Sequence, residues 1–277
     1  MGYEFSKKSN DLFSQIHNFC NFVLMKQETA IKLPCWLDRL IFDGLKANYC
    51  PSYFDMTNID DDKVRSLNYL GTYFPRSYAE AYNIFSDYFT TSQSCFISKE
   101  ELSVFDFGSG TGGEIIGLLT VLDEQFQNLK KVRIVALDGN HNALRIYEKI
   151  LAEFIKHVDI QIESKTAAIH IEDFYDLQVL DDVVQKQFDI IISFKAICEF
   201  VTKQQFEKQN PYEHIASFLL PKLNDNGLML LEDVTTYNNT SQEWLPKMMD
   251  KGLAVAKCRV IAQNNGYNQI SLITHSH

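Results

Sequence analysis

Residues 103–113 read Ser-Val-Phe-Asp-Phe-Gly-Ser-Gly-Thr-Gly-Gly, and the apolar run 132–137 further along ends in Asp138. A short buried strand enters a glycine-dense turn, which opens onto an amphipathic stretch marked by Ile115, Ile116, Leu118, Leu119 and Leu122. A second apolar strand then delivers one carboxylate to the same sheet edge. Glycines let backbone N–H groups approach a ligand closely, and an acid at the tip of the next strand accepts ribose hydroxyls. The layout predicts a nucleotide-type cofactor site at the edge of an α/β sheet.

Two cofactor classes compete for that turn. Gly108, Gly110 and Gly113 satisfy the G-x-G-x-x-G pattern of dinucleotide-binding domains. The same segment also reads Asp-x-Gly-x-Gly-x-Gly through Asp106, Gly108, Gly110 and Gly112, and here the chain resembles the class I S-adenosylmethionine-dependent methyltransferases. Asp106 separates the two. A dinucleotide brings a pyrophosphate to the helix N-terminus, and a carboxylate two residues before the first glycine would oppose its charge. S-adenosylmethionine has no phosphate and carries an ammonium and a sulfonium, which the acid attracts.

From 103 onward, strand-like and helix-like patterns alternate, as in a doubly wound α/β sheet. Strands are expected at 103–107, 132–138, within 158–171, at 188–193 and at 228–232. Helices are expected over about 112–125 and along Ala143, Tyr147, Ile150, Leu151 and Phe154. The segments 254–262 and 268–274 flank Asn264-Asn-Gly-Tyr, a hairpin signal. The expected fold is therefore a doubly wound, mostly parallel seven-stranded α/β sheet with a C-terminal antiparallel hairpin. Residues 96–277 form the methyltransferase-like core. Residues 1–95 form an N-terminal helical cap, with apolar faces at Leu12, Ile16, Phe19 and Val23, at Leu37, Leu40, Ile41 and Leu45, and at Tyr78, Ala81, Tyr82, Phe85 and Phe89. The resemblance implies that such a cap supplies acceptor recognition.

The resemblance also implies site residues. Gly108, Ser109, Gly110 and Gly112 shape the loop under the methionine part of the cofactor, and Asp106 acts on its amino group. Asp138, with Gly139 beside it, takes the ribose hydroxyls, although an Asp here also suits a helix N-cap. Asp173 and Phe174 would meet the adenine amino group and ring, or lie in an ordinary exposed loop. Ser193 and Phe194 line the donor methyl. Lys195 and Glu199 have the spacing of an i,i+4 pair or belong to the site. No Pro-Pro-aromatic motif follows strand four, which disfavours methylation of base exocyclic amines. Glu232 and Asp233, at the end of strand five, are candidates for acceptor contact or proton removal, or solvated loop acids. Tyr73 and Arg76 lie in the aromatic segment 65–82, with Tyr69 and Tyr78. They would close over a cofactor carboxylate and grip the acceptor, unless this is a helix beginning near Pro75 that packs aromatics on the core. The segment 73–79 followed by 105–112 also resembles the mitochondrial-type small-ribosomal-subunit methyltransferase-like family. The chain lacks that family's cysteine cluster and basic character, so the ribosomal role does not carry over.

Composition narrows the partners. Net charge is −10, and residues 1–95 carry nine Lys/Arg against eleven Asp/Glu. A phosphate-rich partner needs clustered bases, so nucleic acid is disfavoured and a small-molecule or peptide acceptor is expected. The six cysteines show no C-x-x-C pair and the seven histidines are scattered, so no metal site is expected. No membrane segment or secretory signal is expected, which suits a cytoplasmic protein. The expected activity is S-adenosylmethionine-dependent methyl transfer. The alternatives are an rRNA or tRNA methyltransferase and a non-catalytic methyltransferase-like binding module.

Overall fold

Seven strands build one sheet in the order β3-β2-β1-β4-β5-β9-β8. They are β1 (Glu101–Phe107), β2 (Lys131–Asp138), β3 (Gln161–Ala168), β4 (Phe188–Phe194), β5 (Leu223–Val234), β8 (Arg259–Asn265) and β9 (Asn268–Thr274). A short separate pair, β6 (Tyr237–Asn238) and β7 (Glu243–Trp244), lies between β5 and β8 in the chain. The computed structural model describes residues 31–50, 63–91, 96–185, 187–200, 204, 209–238, 242–265 and 268–274. The face at Leu12–Val23, part of the hairpin turn, and Cys20, Cys95, His275 and His277 lie outside them.

Strands β1 to β5 run parallel, and β9 is antiparallel to both β5 and β8. This is the doubly wound, mostly parallel sheet with a C-terminal antiparallel pair that the alternating pattern predicts. Every residue of β4 is buried, which explains its unbroken apolar run: a central parallel strand is covered on both faces. Strand three falls at Gln161–Ala168, inside its expected range. On β1, Phe105 and Phe107 join the aromatic and aliphatic core shared with Tyr212, Ile215 and Met248. Asp106 is one residue out of phase with them and so faces the other side of the sheet.

The helices are α1 (Cys35–Asp38, continued by a π-helical turn at Arg39–Gly44), α2 (Lys63–Thr91), α3 (Gly113–Gln125), α4 (His141–Phe154), α5 (Pro211–Leu219) and α6 (Leu245–Val255). Helix α2 corrects the expectation of a start near Pro75, because it begins at Lys63 and runs straight through that proline. Proline inside a helix leaves the carbonyl four residues earlier, here Gly71, without its usual donor. The loop before α2 crosses at this point. Asn48 donates its N–H to the Leu67 carbonyl at 3.0 Å, and Cys50 N–H donates to Thr72 Oγ1 at 3.1 Å. A side chain at Gly71 would strike the Asn48 backbone at 2.5 Å.

Close packing joins α2 to α3. A methyl on Gly113 would lie 2.6 Å from the Phe74 carbonyl oxygen, and one on Gly117 would lie 2.6 Å from that of Tyr78. Further along the same contact Phe89 meets Phe126 edge-on, with ring centroids 4.8 Å apart. Replacing Gly117 with Ala separates two opposing effects. Ala improves intrinsic helix propensity by about 1 kcal/mol, but overpacking against a rigid backbone costs about 1–3 kcal/mol. Gly117→Ala should lower the urea midpoint at unchanged slope, and a raised midpoint would refute the close-contact account.

Candidate functional site

A cavity of ≈ 390 Å³ opens at the carboxyl ends of β1, β2, β3 and β4. The strand order reverses between β1 and β4, which is where open α/β sheets form their ligand crevice. The turn after β1 gives Gly108, Ser109, Gly110 and Thr111 to its wall, and the segment after β2 gives Asp138, Gly139 and Asn140. Beyond β3 come Ile169, His170 and Ile171, and after β4 come Lys195, Ala196 and Glu199, with Phe194 at the strand's end. Helix α2 covers the remaining side with Tyr69, Tyr73, Phe74 and Ser77.

The turn is held open by its glycines. Gly108, Gly110 and Gly112 have φ of 79°, 48° and 81°, a region that side chains disfavour. Side chains would also strike Ala196 at Gly108 and the Tyr147 ring at Gly112. Gly108 and Ser109 donate their N–H groups to the Leu137 carbonyl at 2.8 and 2.9 Å, tying the turn to β2. Asp138 completes the tie. Its Oδ2 accepts from Gly110 N–H at 2.8 Å, and its Oδ1 accepts from Asn140 N–H at 2.7 Å. The N-cap of α4 is Asn140, whose Oδ1 accepts from Asn142 and Ala143.

Carboxyl groups crowd this corner. Asp106 is fully buried, no N–H or hydroxyl of the described residues reaches its oxygens, and its hydrogen-bonding neighbour is another acid, Glu114. Burial drives its carboxyl well above the usual range, and Glu114 and Asp138 push it further. Glu114, in the first turn of α3, is 4% exposed, and burial raises it to about 8. Glu199 opens onto the cavity. Surrounding protein raises its carboxyl, with Asp138 and Asp233 adding to the effect. Burial and these same acids (Asp138, Glu199 and Glu114) keep the Tyr69 phenol strongly protonated. The buried Ser109 and Ser193 hydroxyls also lack partners among the described residues.

Lys195 is the only lysine or arginine on the wall among the described residues. Its φ is 55°, its ammonium pairs with Glu80 of α2, and Glu232 lies 3.6 Å away on the other side. Its backbone N–H donates to the Glu232 carbonyl at 2.8 Å. Although burial opposes its charge, Glu232 and Glu80 hold its pKa above the ordinary lysine value. Lys195 therefore does not form the i,i+4 pair with Glu199 that the spacing allowed.

The structure gathers some of the sequence-derived candidates and separates others. Gly108, Ser109, Gly110, Asp138, Gly139, Phe194 and Tyr73 share the cavity wall, and Asp106 and Gly112 lie directly behind it. Glu232 and Asp233 are off the wall, a correction to their assignment as acceptor-facing acids. Both are buried at the end of β5, where Glu232 serves Lys195 and Asp233 accepts from the Tyr212 hydroxyl at 2.9 Å. Phe174 is likewise in the core against Phe107, and Asp173 accepts from Tyr175 N–H at 3.0 Å. Ile169, His170 and Ile171 take the wall position that sequence gave to that pair. Ser193 lies in β4 outside the wall. Arg76 is also outside it, with its guanidinium 5.8 Å from the Tyr73 ring centre. Glu114 is on the wall without having been singled out in the sequence. The signal for Glu114 was present as an acid two residues after Gly112.

No protein-family model matches this sequence, and no curated protein matches it. Solved structures do. The methyltransferase domain of the citrinin polyketide synthase is 13% identical, with a TM-score of 0.53 over 80% of this chain and 58% of that domain. An rRNA methyltransferase from Streptomyces viridochromogenes is 12% identical, with a TM-score of 0.47 over 83% of this chain and 90% of its own. The chain has the fold of the class I S-adenosylmethionine-dependent methyltransferases.

The raised carboxyls set a pH dependence with a definite sign. An acid whose folded pKa exceeds its unfolded value adds stability below the unfolded value and loses it as pH rises through the folded one. For Glu114 that window runs from 4.5 to about 8. The melting temperature of the ligand-free protein should fall across this range, and Glu114→Gln should flatten the decline. An unchanged slope in the variant would rule Glu114 out as a source.

Proposed function

We propose that this chain is an S-adenosylmethionine-dependent methyltransferase acting on a small-molecule or peptide acceptor. The observation that carries the reading is the buried Asp106 carboxyl, reached by no N–H or hydroxyl of the described residues, beneath the glycine turn and beside Glu114. A pyrophosphate would add negative charge to a corner that already holds three carboxyl groups. A cationic amino group relieves it, since each carboxylate then gains a counter-charge in a low-dielectric site. The residues present therefore fit S-adenosylmethionine better than a dinucleotide.

In this reading Asp106 and Glu114 take the cofactor's amino group. Asp138, which accepts from Gly110 and Asn140 at the tip of β2, is assigned to the ribose hydroxyls by its place at the strand end beside the turn. Ile169 and Ile171 supply apolar surface for the adenine ring. When bound, S-adenosylmethionine supplies a methyl group on a sulfonium that is already activated for displacement. The protein's contribution is thus to bind, orient and exclude water. The aromatic side chains of α2 meet the last need, and we assign acceptor contact to this N-terminal part of the chain. Neither the wall nor the net charge of −10 offers a clustered basic surface for a polyphosphate acceptor.

Calorimetry tests the cofactor. S-adenosylhomocysteine should bind and NAD should not; the opposite order would sink the proposal. Asp106→Asn should weaken S-adenosylhomocysteine about tenfold or more, the loss of one charge-assisted contact.

A further inference from the structure

We propose that the acceptor is an amine, taken up as a cation at Glu199 beneath Tyr69 and Tyr73. This rests on the methyl-donor reading of the cavity. In that reading the donor accounts for Asp106, Glu114 and Asp138. Glu199 is left over. Its carboxylate faces the cavity and meets neither a cation nor a hydrogen-bond donor among the described residues. A carboxyl held back from ionising by burial and neighbouring acids ionises when a cation docks against it, so the position selects a cation.

Among the described residues, the basic side chains nearby do not redirect that preference. Lys195 is 8% exposed and held between Glu80 and Glu232, so an anionic acceptor gains little from it. His170 lies on the β3 side, next to Gly139. Arg76 is off the wall, against the Tyr73 ring. The Ser109 hydroxyl, 1% exposed, on the wall and without a partner among the described residues, shows that the cavity is built for polar ligands.

The aromatic side suits a cation as well. Tyr69 and Tyr73 stand with ring centroids 5.0 Å apart, and the Tyr69 hydroxyl is 3.1 Å from where a methyl on Gly110 would sit. Aromatic faces attract an ammonium through the ring quadrupole, and more strongly once water is excluded. Proton balance points the same way. A nitrogen acceptor forms its new C–N bond as the donor's C–S bond breaks, with the C–S electron pair leaving on sulfur. An ammonium has no lone pair, so it gives one proton to the Glu199 carboxylate on the wall before that bond forms, and the methylated nitrogen leaves as a cation.

The experiment uses three probes that share one ring and differ only in head group: benzylamine, benzyl alcohol and benzoate. Each is titrated by calorimetry into protein saturated with S-adenosylhomocysteine. Benzylamine should bind about tenfold or more tighter than benzoate, the scale of one desolvated charge contact. Glu199→Gln should abolish that preference while leaving the affinity for S-adenosylhomocysteine unchanged. Absence of preference in the wild type, a preference for benzoate, or an amine preference that survives Glu199→Gln would each overturn the assignment. The wild-type series decides the matter even if the variant fails to fold. Failure of S-adenosylhomocysteine itself to bind would overturn the donor reading instead, so the two failures are told apart in the first titration.

Discussion

A carboxyl group sealed inside the sheet is the constraint around which this site is arranged. Burying an unpaired charge costs several kcal/mol, and proteins avoid the cost by pairing the group or neutralising it. No N–H or hydroxyl of the described residues reaches Asp106, so it is neutralised, and Glu114 beside it responds in the same way. In the proposed reading, these two acids that repel each other's ionisation are the receptor for a cation. The neighbouring Gly113 begins α3, and the positive end of that helix lowers the cost of holding several acids together. Stability is thus given up at the one place where a ligand can restore it.

Glycine shapes the cavity at two places. The positive φ angles at Gly108, Gly110 and Gly112 curl the turn so that its N–H groups face β2 and Asp138. At Gly113 and Gly117 the missing side chains let the backbone of α2 rest against α3. That contact brings Tyr69, Tyr73, Phe74 and Ser77 over the cavity. One stretch of sequence therefore shapes the ligand loop and sets the position of the helix that covers it.

Much of this was legible before any coordinates, and the failures have physical causes. The alternating α/β layout, the C-terminal pair and the glycine turn follow from periodicity and from residues with few conformational alternatives. Pro75 misled because proline normally marks a helix start, whereas here the loop at Asn48–Cys50 docks beside the helix where proline disrupts it. Asp173 and Phe174 were displaced because β3 ends at Ala168, which puts 169–171 on the wall and turns Phe174 into the core. Glu232 and Asp233 looked available because acids at strand ends usually are. Their partners, Lys195 and Tyr212, come from other elements and cannot be read from local sequence. Glu114 was overlooked because an acid in the first turn of a helix has an ordinary explanation in the helix dipole.

Lys195 shows how the acidic character of the cavity survives a lysine on its wall. A non-glycine residue at φ 55° is strained by about 1–3 kcal/mol and persists only where its surroundings fix it. Here they do so from both sides: Glu232 accepts from its N–H and faces its ammonium, and Glu80 reaches it from α2. The lysine therefore joins the covering helix to the end of β5, and its charge is consumed in doing so. A looser lysine would pair with Glu199 or Glu114 directly and fill the cation positions that both the cofactor and acceptor assignments depend on. The strained backbone at Lys195 is the local cost of keeping that charge out of the cavity.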